Sequence, residues 1–457
     1  MTRSRKIRRA ALIAGVALAT ALFAAELHRR QGLYWYPVDQ DYAYNFDPRQ
    51  AAVLPVRIER NTVRLPEHEG RWGTTFLRLQ LSSRLTGWWF EPCIEVLGGG
   101  SSSTQCFERG ARGTRYVLLP GTGPASPLRE IELHGHHLDW DDNDAAIMLL
   151  EAPELSGKRV LVLAPHPDDA EIAAFGLYST HESYVVTMTA GGYVDGLYDD
   201  AALRSDVRTW DSLAVPLWGG VPAGRTVNLG YLTNSLQEFH AAALASAKPA
   251  RPGSAVGRYR KGAVAALLGG RPAEANWSSV VADLAAVLSA VRPDFVVAPH
   301  PALDSAPDHQ YTTAALLEAL EQLNDTSTTL LLYTNHHVHA EHYPFGPSDS
   351  TVTLPPWFGG ARFAGVYSHP LDSQAQVSKL FALEAMHDLR APPERVTTGP
   401  AGVLAQRLRQ AAQLVLRDPV GDYSYFRRAV RPNELFFAYG PADRGAVADY
   451  VNQHLNR

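Results

Sequence analysis

The 457-residue chain reads as an α/β protein: a Rossmann-like, mostly parallel sheet with helices on both faces, preceded by an antiparallel β-sandwich. Three observations predict this. Short strands of alternating polarity fill the stretch from about Val53 to Leu150. After Glu154, apolar β-rich runs alternate with helix-length amphipathic segments. Two of those runs end in turns rich in proline, histidine and aspartate.

In the first half, Val56-Arg57-Ile58-Glu59 and Phe76-Leu77-Arg78-Leu79-Gln80-Leu81 alternate at period two, the mark of a half-buried strand. Trp88-Trp89-Phe90, Ile94-Glu95-Val96, Tyr116-Val117-Leu118-Leu119 and Ile131-Glu132-Leu133 continue the pattern, with Gly and Pro clusters between them. The predicted sandwich spans residues 45–152. Trp72, Trp88, Trp89 and Trp140 either form an aromatic platform for sugar rings or, the blander reading, pack a small core. Cys93 and Cys106 flank the turn Gly98-Gly99-Gly100-Ser101-Ser102-Ser103, so a hairpin would bring them together. In an exported chain they are expected to form a disulfide. The chain has 2 cysteines, and they make no Cys-based zinc pattern.

In the second half, Arg159 to Ala164, Tyr184 to Thr189, Phe295 to Ala298 and Thr329 to Thr334 are predicted strands. Leu203 to Leu213, Val280 to Val291, Asp308 to Leu323 and Ala375 to Leu389 are predicted helices. Their alternation predicts a domain over 155–440, followed by a C-terminal helix over 441–457. The Ala-, Gly- and Pro-rich stretch from Ala241 to Pro272 reads as an insertion or mobile loop.

The composition is that of a globular protein, 46% hydrophobic and 19% charged. A net charge of -5 with no basic stripe beyond the N-terminus argues against a nucleic-acid partner. At the N-terminus, Arg3, Arg5, Lys6, Arg8 and Arg9 precede an uncharged run from Ala10 to Ala25. That is the pattern of an export signal or, if uncleaved, a membrane anchor over residues 1–31. It places the rest of the chain outside the cytoplasm, in the periplasm or another extracytoplasmic space, tethered to the inner membrane where the segment is retained.

The chemistry concentrates after the first strand of the second half. Val160-Leu161-Val162-Leu163-Ala164 ends in Pro165-His166-Pro167-Asp168-Asp169-Ala170-Glu171, and a helix begins near Glu171. In open α/β sheets ligands sit outside the carboxyl ends of strands. Two carboxylates and an imidazole crowded there would repel and desolvate one another unless a divalent cation joins them. His166 and Asp169 are placed to coordinate it, leaving Asp168 beside it as general base. A catalytic zinc takes three protein ligands plus water, and the loop after Phe295-Val296-Val297-Ala298 supplies the third. That loop runs Pro299-His300-Pro301-Ala302-Leu303-Asp304-Ser305-Ala306-Pro307-Asp308-His309, with His309 in the first turn of the next helix.

These residues resemble the PIG-L/LmbE-like family of zinc N-deacetylases, whose members share A-H-P-D-D followed by an acid and then a distant P-D-H. Here the motifs read His166-Pro167-Asp168-Asp169-Ala170-Glu171 and Pro307-Asp308-His309. Thr189-Ala190-Gly191-Gly192, Leu229-Gly230-Tyr231 and the Lys379 to His387 segment, similar to a closing K-x-x-A-L-x-x-x-H helix, add to the likeness, which covers about Gly157 to Arg390. The resemblance implies that His166, Asp169 and His309 hold one zinc ion and that Asp168 takes a proton from water and returns it to a leaving amine. It further implies that the substrate is an N-acetylated sugar, and an exported copy points to a polysaccharide. Iron or cobalt would suit the same ligands.

The sequence departs from the family at Ala306, where many members carry a histidine that helps hold the oxyanion. His300, which directly ends a strand, is the expected catalytic substitute. His336 and His337, after the Thr329 to Thr334 strand, are the other candidates and stand as substrate-binding residues, or else as a surface pair. Arg204 is placed to bind substrate hydroxyls or phosphate, or is a plain helix-surface arginine. Two other readings stay open: a glycan-binding protein with a degraded site, and a hydrolase of another small amide.

Overall fold

The structure is a computed structural model that describes residues 13–17, 20, 33–65, 72–119, 130–192, 201–245, 256–272, 274–387, 389 and 424–455. Most of the expected N-terminal signal therefore lies outside the described residues. Among the described residues no helix is long and apolar enough to cross a membrane.

The chain forms a mixed α/β structure with several sheets. In the first half, strands 51–56, 138–151, 72–83 and 112–118 pair in that order. A second sheet orders strands 58–59, 62–64, 130–136, 93–98 and 101–106. All these pairings are antiparallel. One apolar cluster takes Leu77, Leu79, Val117 and Ile147 from the first sheet and Val63, Ile94, Val96 and Leu133 from the second. The period-two alternation turned these side chains to one face. The Cys93–Cys106 disulfide is present and joins paired positions of adjacent strands.

One expected strand is absent. Trp88-Trp89-Phe90 does not extend; Leu85–Trp88 is a 3-10 turn. Gly87 allows it, because a Cβ there would sit 2.5 Å from the His137 carbonyl oxygen.

The second half is built on one eight-stranded sheet. Its elements in chain order are β1 (Arg159–Ala164), α1 (Asp169–Thr180), β2 (Glu182–Thr189), α2 (Ala201–Ala214), β3 (Thr226–Tyr231), β4 (Lys261–Gly262), α3 (Trp277–Val291), β5 (Phe295–Pro299), α4 (Pro307–Gln322), β6 (Thr329–Tyr333), β7 (Gly365–Pro370), α5 (Ser373–Ala385) and β8 (Asn433–Tyr439). The strand order is β4-β3-β2-β1-β5-β6-β8-β7. The five strands from β3 to β6 run parallel, and the three others are antiparallel to their neighbours. The parallel strands are buried on both faces, which is why they read as unbroken apolar runs. Leu161 and Leu163 face the cluster that holds α3 and α4. Val160, Val162 and Ala164 face the one that holds α1 and part of α5.

The stretch from Ala241 to Pro272 is not a loop throughout. Val256, Leu267 and Leu268 are buried, and Lys261–Gly262 extends the sheet beside β3. The Ala and Gly content concealed this, because short elements packed on a sheet edge need few apolar anchors.

The chain order reverses at β1. Its sequence successor β2 lies on one side and β5 on the other. Loops after β1 and β5 then diverge and leave a crevice between them at the carboxyl ends.

Candidate active site

Both histidine-bearing loops enter that crevice. His166 follows β1, Asp169 opens α1, and His309 lies in the first turn of α4. Their candidate ligand atoms all lie within 4.8 Å of one another. His309 Nε2 is 3.1 Å from Asp169 Oδ2 and 3.3 Å from His166 Nδ1. His166 Nδ1 is 3.3 Å from the same oxygen, which also accepts the His166 backbone N–H at 2.9 Å. Two ring nitrogens facing each other across one ionised oxygen are a donor set for a shared cation.

Each imidazole is backed by a carboxylate on its far nitrogen. His166 Nε2 lies 3.1 Å from Asp308 Oδ2, and His309 Nδ1 lies 3.0 Å from Asp304 Oδ2. This carboxylate–histidine pairing fixes ring orientation and tautomer in metal sites and raises ligand basicity. The carboxylates are themselves anchored by backbone. Asp308 accepts the N–H groups of Asn234 and Leu236, and Asp304 those of Ala306, Asn335 and His336. Asn335 Nδ2 donates to Asp169 Oδ1 at 2.7 Å, which leaves Oδ2 toward the cluster. The residues present therefore fit a metal.

Carboxylates dominate the field at these imidazoles. Burial opposes charge on His166, but the Asp169 and Asp308 carboxylates outweigh it and raise its pKa to about 9. Burial also opposes charge on Asp169, yet His309 and His166 hold its carboxyl well below the ordinary range. Glu171 stays apart from this balance. It is buried, accepts a hydrogen bond from the Tyr178 hydroxyl at 3.0 Å, and is pushed up to about 8 by desolvation.

Asp168 sits beside the cluster. Its Oδ2 accepts a hydrogen bond from Arg208 Nη2 at 3.0 Å. Arg208 also binds the carbonyls of Gly191 and Pro167, so one buried guanidinium ties α2 to two site loops. A Cβ on Gly191 would lie 2.8 Å from that guanidinium. The arginine reaching the site is thus Arg208; Arg204, one turn earlier on the same helix, is half-buried.

The three substitute histidines separate. His300 is displaced from the site, a correction to its expected catalytic position. Its Nε2 meets the Tyr439 hydroxyl at 3.0 Å, and its Nδ1 accepts the Ala302 N–H. Phe363 and Phe437 pack around the ring, and desolvation depresses its pKa to about 3. His337 is likewise corrected. It is buried against His339 and Tyr343, away from the cluster. His336 alone stands at the cluster, its ring 5.1 Å from that of His309. Its Nδ1 lies 3.1 Å from Glu341, and the Tyr425 hydroxyl is 3.3 Å from its Nε2. Glu341 is paired in turn with Arg428 at 3.0 Å. Burial pushes the Tyr425 hydroxyl well above the ordinary tyrosine range, so it keeps its proton.

Arg208, Asp304, Asn335 and Tyr425 did not emerge as site residues from the sequence. Asp304 lies in the His300 to His309 loop, and its signal was an acid five residues before a candidate ligand histidine. Tyr425 lies 89 residues beyond His336 and carried no local signal.

Residues 161–320 match the family model described as PIG-L: GlcNAc-PI de-N-acetylase. That segment of the chain is therefore similar to the PIG-L family. No curated protein matches the chain. Among solved structures, the chain is similar to the zinc-inhibited form of teicoplanin deacetylase Orf2, at 16% identity and a TM-score of 0.33, over 61% of this chain and 97% of that one. It is also similar to GalB, the 4-carboxy-2-hydroxymuconate hydratase of Pseudomonas putida, at 16% identity and a TM-score of 0.27, over 61% and 95%. The PIG-L match spans β1 to α4 and so contains all three cluster residues.

Proposed function

We propose that this protein is a metal-dependent N-deacetylase that hydrolyses the acetamide of an N-acetylhexosamine unit in a glycan or glycoconjugate. The observation carrying this reading is the convergence of His166, Asp169 and His309, each imidazole backed by its own carboxylate, with Asp168 alongside. Two imidazoles and one carboxylate suit zinc. Held by these three, the ion would supply Lewis acidity at the amide carbonyl.

The chain's own groups do the rest. The Asp168 carboxylate takes the proton of the attacking water and returns it to the leaving amine as the C–N bond breaks. Arg208 fixes the orientation of that carboxylate. His336, with the Tyr425 hydroxyl beside it, supplies the donor to the developing oxyanion that Ala306 lacks. The products are acetate and a free amino sugar.

In this reading the parallel strands form a Rossmann-like catalytic domain over 155–440, and the antiparallel sheets form a sandwich over 45–152. The protein acts outside the cytoplasm, brought there by the N-terminal segment; the Cys93–Cys106 disulfide supports an oxidising compartment. The test is metal analysis joined to an acetate-release screen on N-acetylglucosamine and N-acetylgalactosamine polymers. One zinc per chain with acetate release is expected. A chain that holds zinc and releases no acetate from any sugar would overturn the reading in favour of glycan binding.

A further inference from the structure

Away from the catalytic crevice, the first half of the chain exposes an apolar ridge. Leu85, Trp88, Trp89 and Phe90 are 83%, 53%, 39% and 44% exposed within six consecutive residues. A run of large, partly exposed apolar groups at one turn is a candidate interaction site. The rings are held in place. Trp88 lies against Gly110, where a Cβ would meet the indole at 3.1 Å. Phe90 stacks on His137 with centroids 5.2 Å apart, and His137 Nδ1 lies 3.0 Å from the Thr86 hydroxyl.

Beside the ridge is a cleft of about 360 Å³, inside the range of about 300–1,000 Å³ typical of small-molecule sites. Arg84 and Asp139 form one wall through a bidentate pair, with Arg84 Nε donating to Asp139 Oδ2 at 2.9 Å. His134, His136 and Asp142 add polar groups, and Trp140 lines the cleft with its ring close over Gly135. Ridge and cleft are continuous, because Arg84 precedes Leu85 and His137 joins Phe90 to the 136–139 turn.

We infer that this surface is a binding subsite for a neutral oligosaccharide chain. Sugar rings offer two chemistries at once: C–H faces that lie on aromatic rings, and hydroxyls that both donate and accept. The ridge meets the first, and a wall carrying guanidinium, imidazole and carboxylate meets the second. The inference deepens the proposed polysaccharide activity and rests on that reading for its role, holding the polymer while the catalytic crevice acts on one residue of it. The binding itself needs no turnover.

The experiment titrates the full chain with an N-acetylglucosamine hexamer and with cellohexaose by calorimetry, for the wild type and two double variants. Trp88→Ala/Phe90→Ala removes the ridge. Arg84→Ala/Asp139→Ala removes the wall; these side chains are 53% and 62% exposed, so this variant keeps its fold even if the first does not. We expect each variant to weaken hexamer binding at least tenfold. Each should raise KM for the hexamer at unchanged kcat and leave acetate release from the monomer untouched. Folded variants that bind as the wild type does, or a wild type that binds neither hexamer, would overturn the subsite. Ridge-dependent binding without any acetate release would retain the subsite and remove the catalytic reading; acetate release without ridge dependence would do the reverse.

Discussion

Asp304 offers the sharpest check on the metal reading, because it touches no substrate and no ligand atom directly. Its carboxylate is buried and accepts from His309 Nδ1 at 3.0 Å, from the N–H groups of Asn335 at 2.9 Å and His336 at 3.1 Å, and from the Ala306 N–H at 3.1 Å. In Asp304→Asn the amide oxygen can keep the three bonds on one side and turn its NH2 toward the Ala306 N–H. The variant then loses one bond and the negative charge behind His309. A charge-assisted bond is about twice as strong as a neutral one, and removing such a partner weakens metal binding by roughly 10–100-fold. At about 1.4 kcal/mol per tenfold this is ~1.4–2.7 kcal/mol of metal affinity. Asp304→Ala goes further, since the backbone N–H groups of Asn335 and His336 lose their acceptor at about 1–3 kcal/mol each. The assay is chelator competition for zinc, with thermal melts of the metal-free variants. Asp304→Asn should melt close to the wild type yet bind zinc 10–100-fold more weakly, whereas Asp304→Ala should also melt earlier. Zinc affinity within twofold of the wild type in Asp304→Asn would refute the claim that His309 is a ligand held by Asp304.

Four further outcomes follow from the same geometry. Asp168→Asn should retain one zinc and lose most acetate release, while His309→Ala should lose the metal; equal zinc loss in both would reverse the roles of the two aspartates in the motif. His336→Ala should cut kcat by roughly 10²–10³-fold at unchanged zinc affinity, and an unchanged kcat would leave the oxyanion role to another group. The Lys379–Glu434 pair is fully buried at 2.7 Å, so Lys379→Met should destabilise by about 3–5 kcal/mol in urea unfolding; a loss under about 1 kcal/mol would mean that the N–H groups of Gly176 and Leu177 suffice for Glu434. His337, depressed to about 3 by burial, stays neutral in the native state while the unfolded chain protonates it below about pH 6.5. Unfolded molecules then bind the extra proton between those values, so stability falls as pH drops through that window. His337→Gln should flatten the dependence by roughly 1.4 kcal/mol per pH unit between pH 6 and 4, and an unchanged slope would place the acid-labile group elsewhere.

The parts of the fold legible in the sequence were those whose burial forces one pattern. β1 coincides with the predicted Arg159 to Ala164 because a central parallel strand, covered on both faces, must be apolar at every position. Helices α2 and α3 showed for the opposite reason, one face polar and one buried. The strand Leu138–Glu151 was harder to see. Its residues 139–144 are mostly exposed and acidic, and its register against the neighbouring strand shifts between Trp140 and Ala145, so period two breaks in its middle. Trp88-Trp89-Phe90 misled in the other direction. Aromatic residues favour strands, but Arg84-Leu85-Thr86-Gly87 closes a turn on the His137 carbonyl and leaves the rings partly exposed.

The site divides along the same line between local and distant information. His166, Asp168 and Asp169 follow one strand and His309 follows another, so strand ends alone brought them together. Finding Arg208 required the third dimension: it shares a helix with Arg204, but it is buried where Gly191 lets its guanidinium pass to Asp168. The proposed replacement for Ala306 was not readable from position either. His300 ends a strand directly, yet its ring turns into Phe363 and Phe437, and its neutrality there makes it part of the core. His336 and His337 are neighbours with opposite fates. The carboxylate of Asp304 accepts the His336 backbone N–H, and the bridge between Asp304 and His337 directs the second ring inward. The same aspartate therefore orients His309, the proposed ligand, and sets which of two adjacent histidines faces the crevice. A substitution at Asp304 should thus disturb metal binding and the His336 donor together, while one at His336 should leave the metal in place.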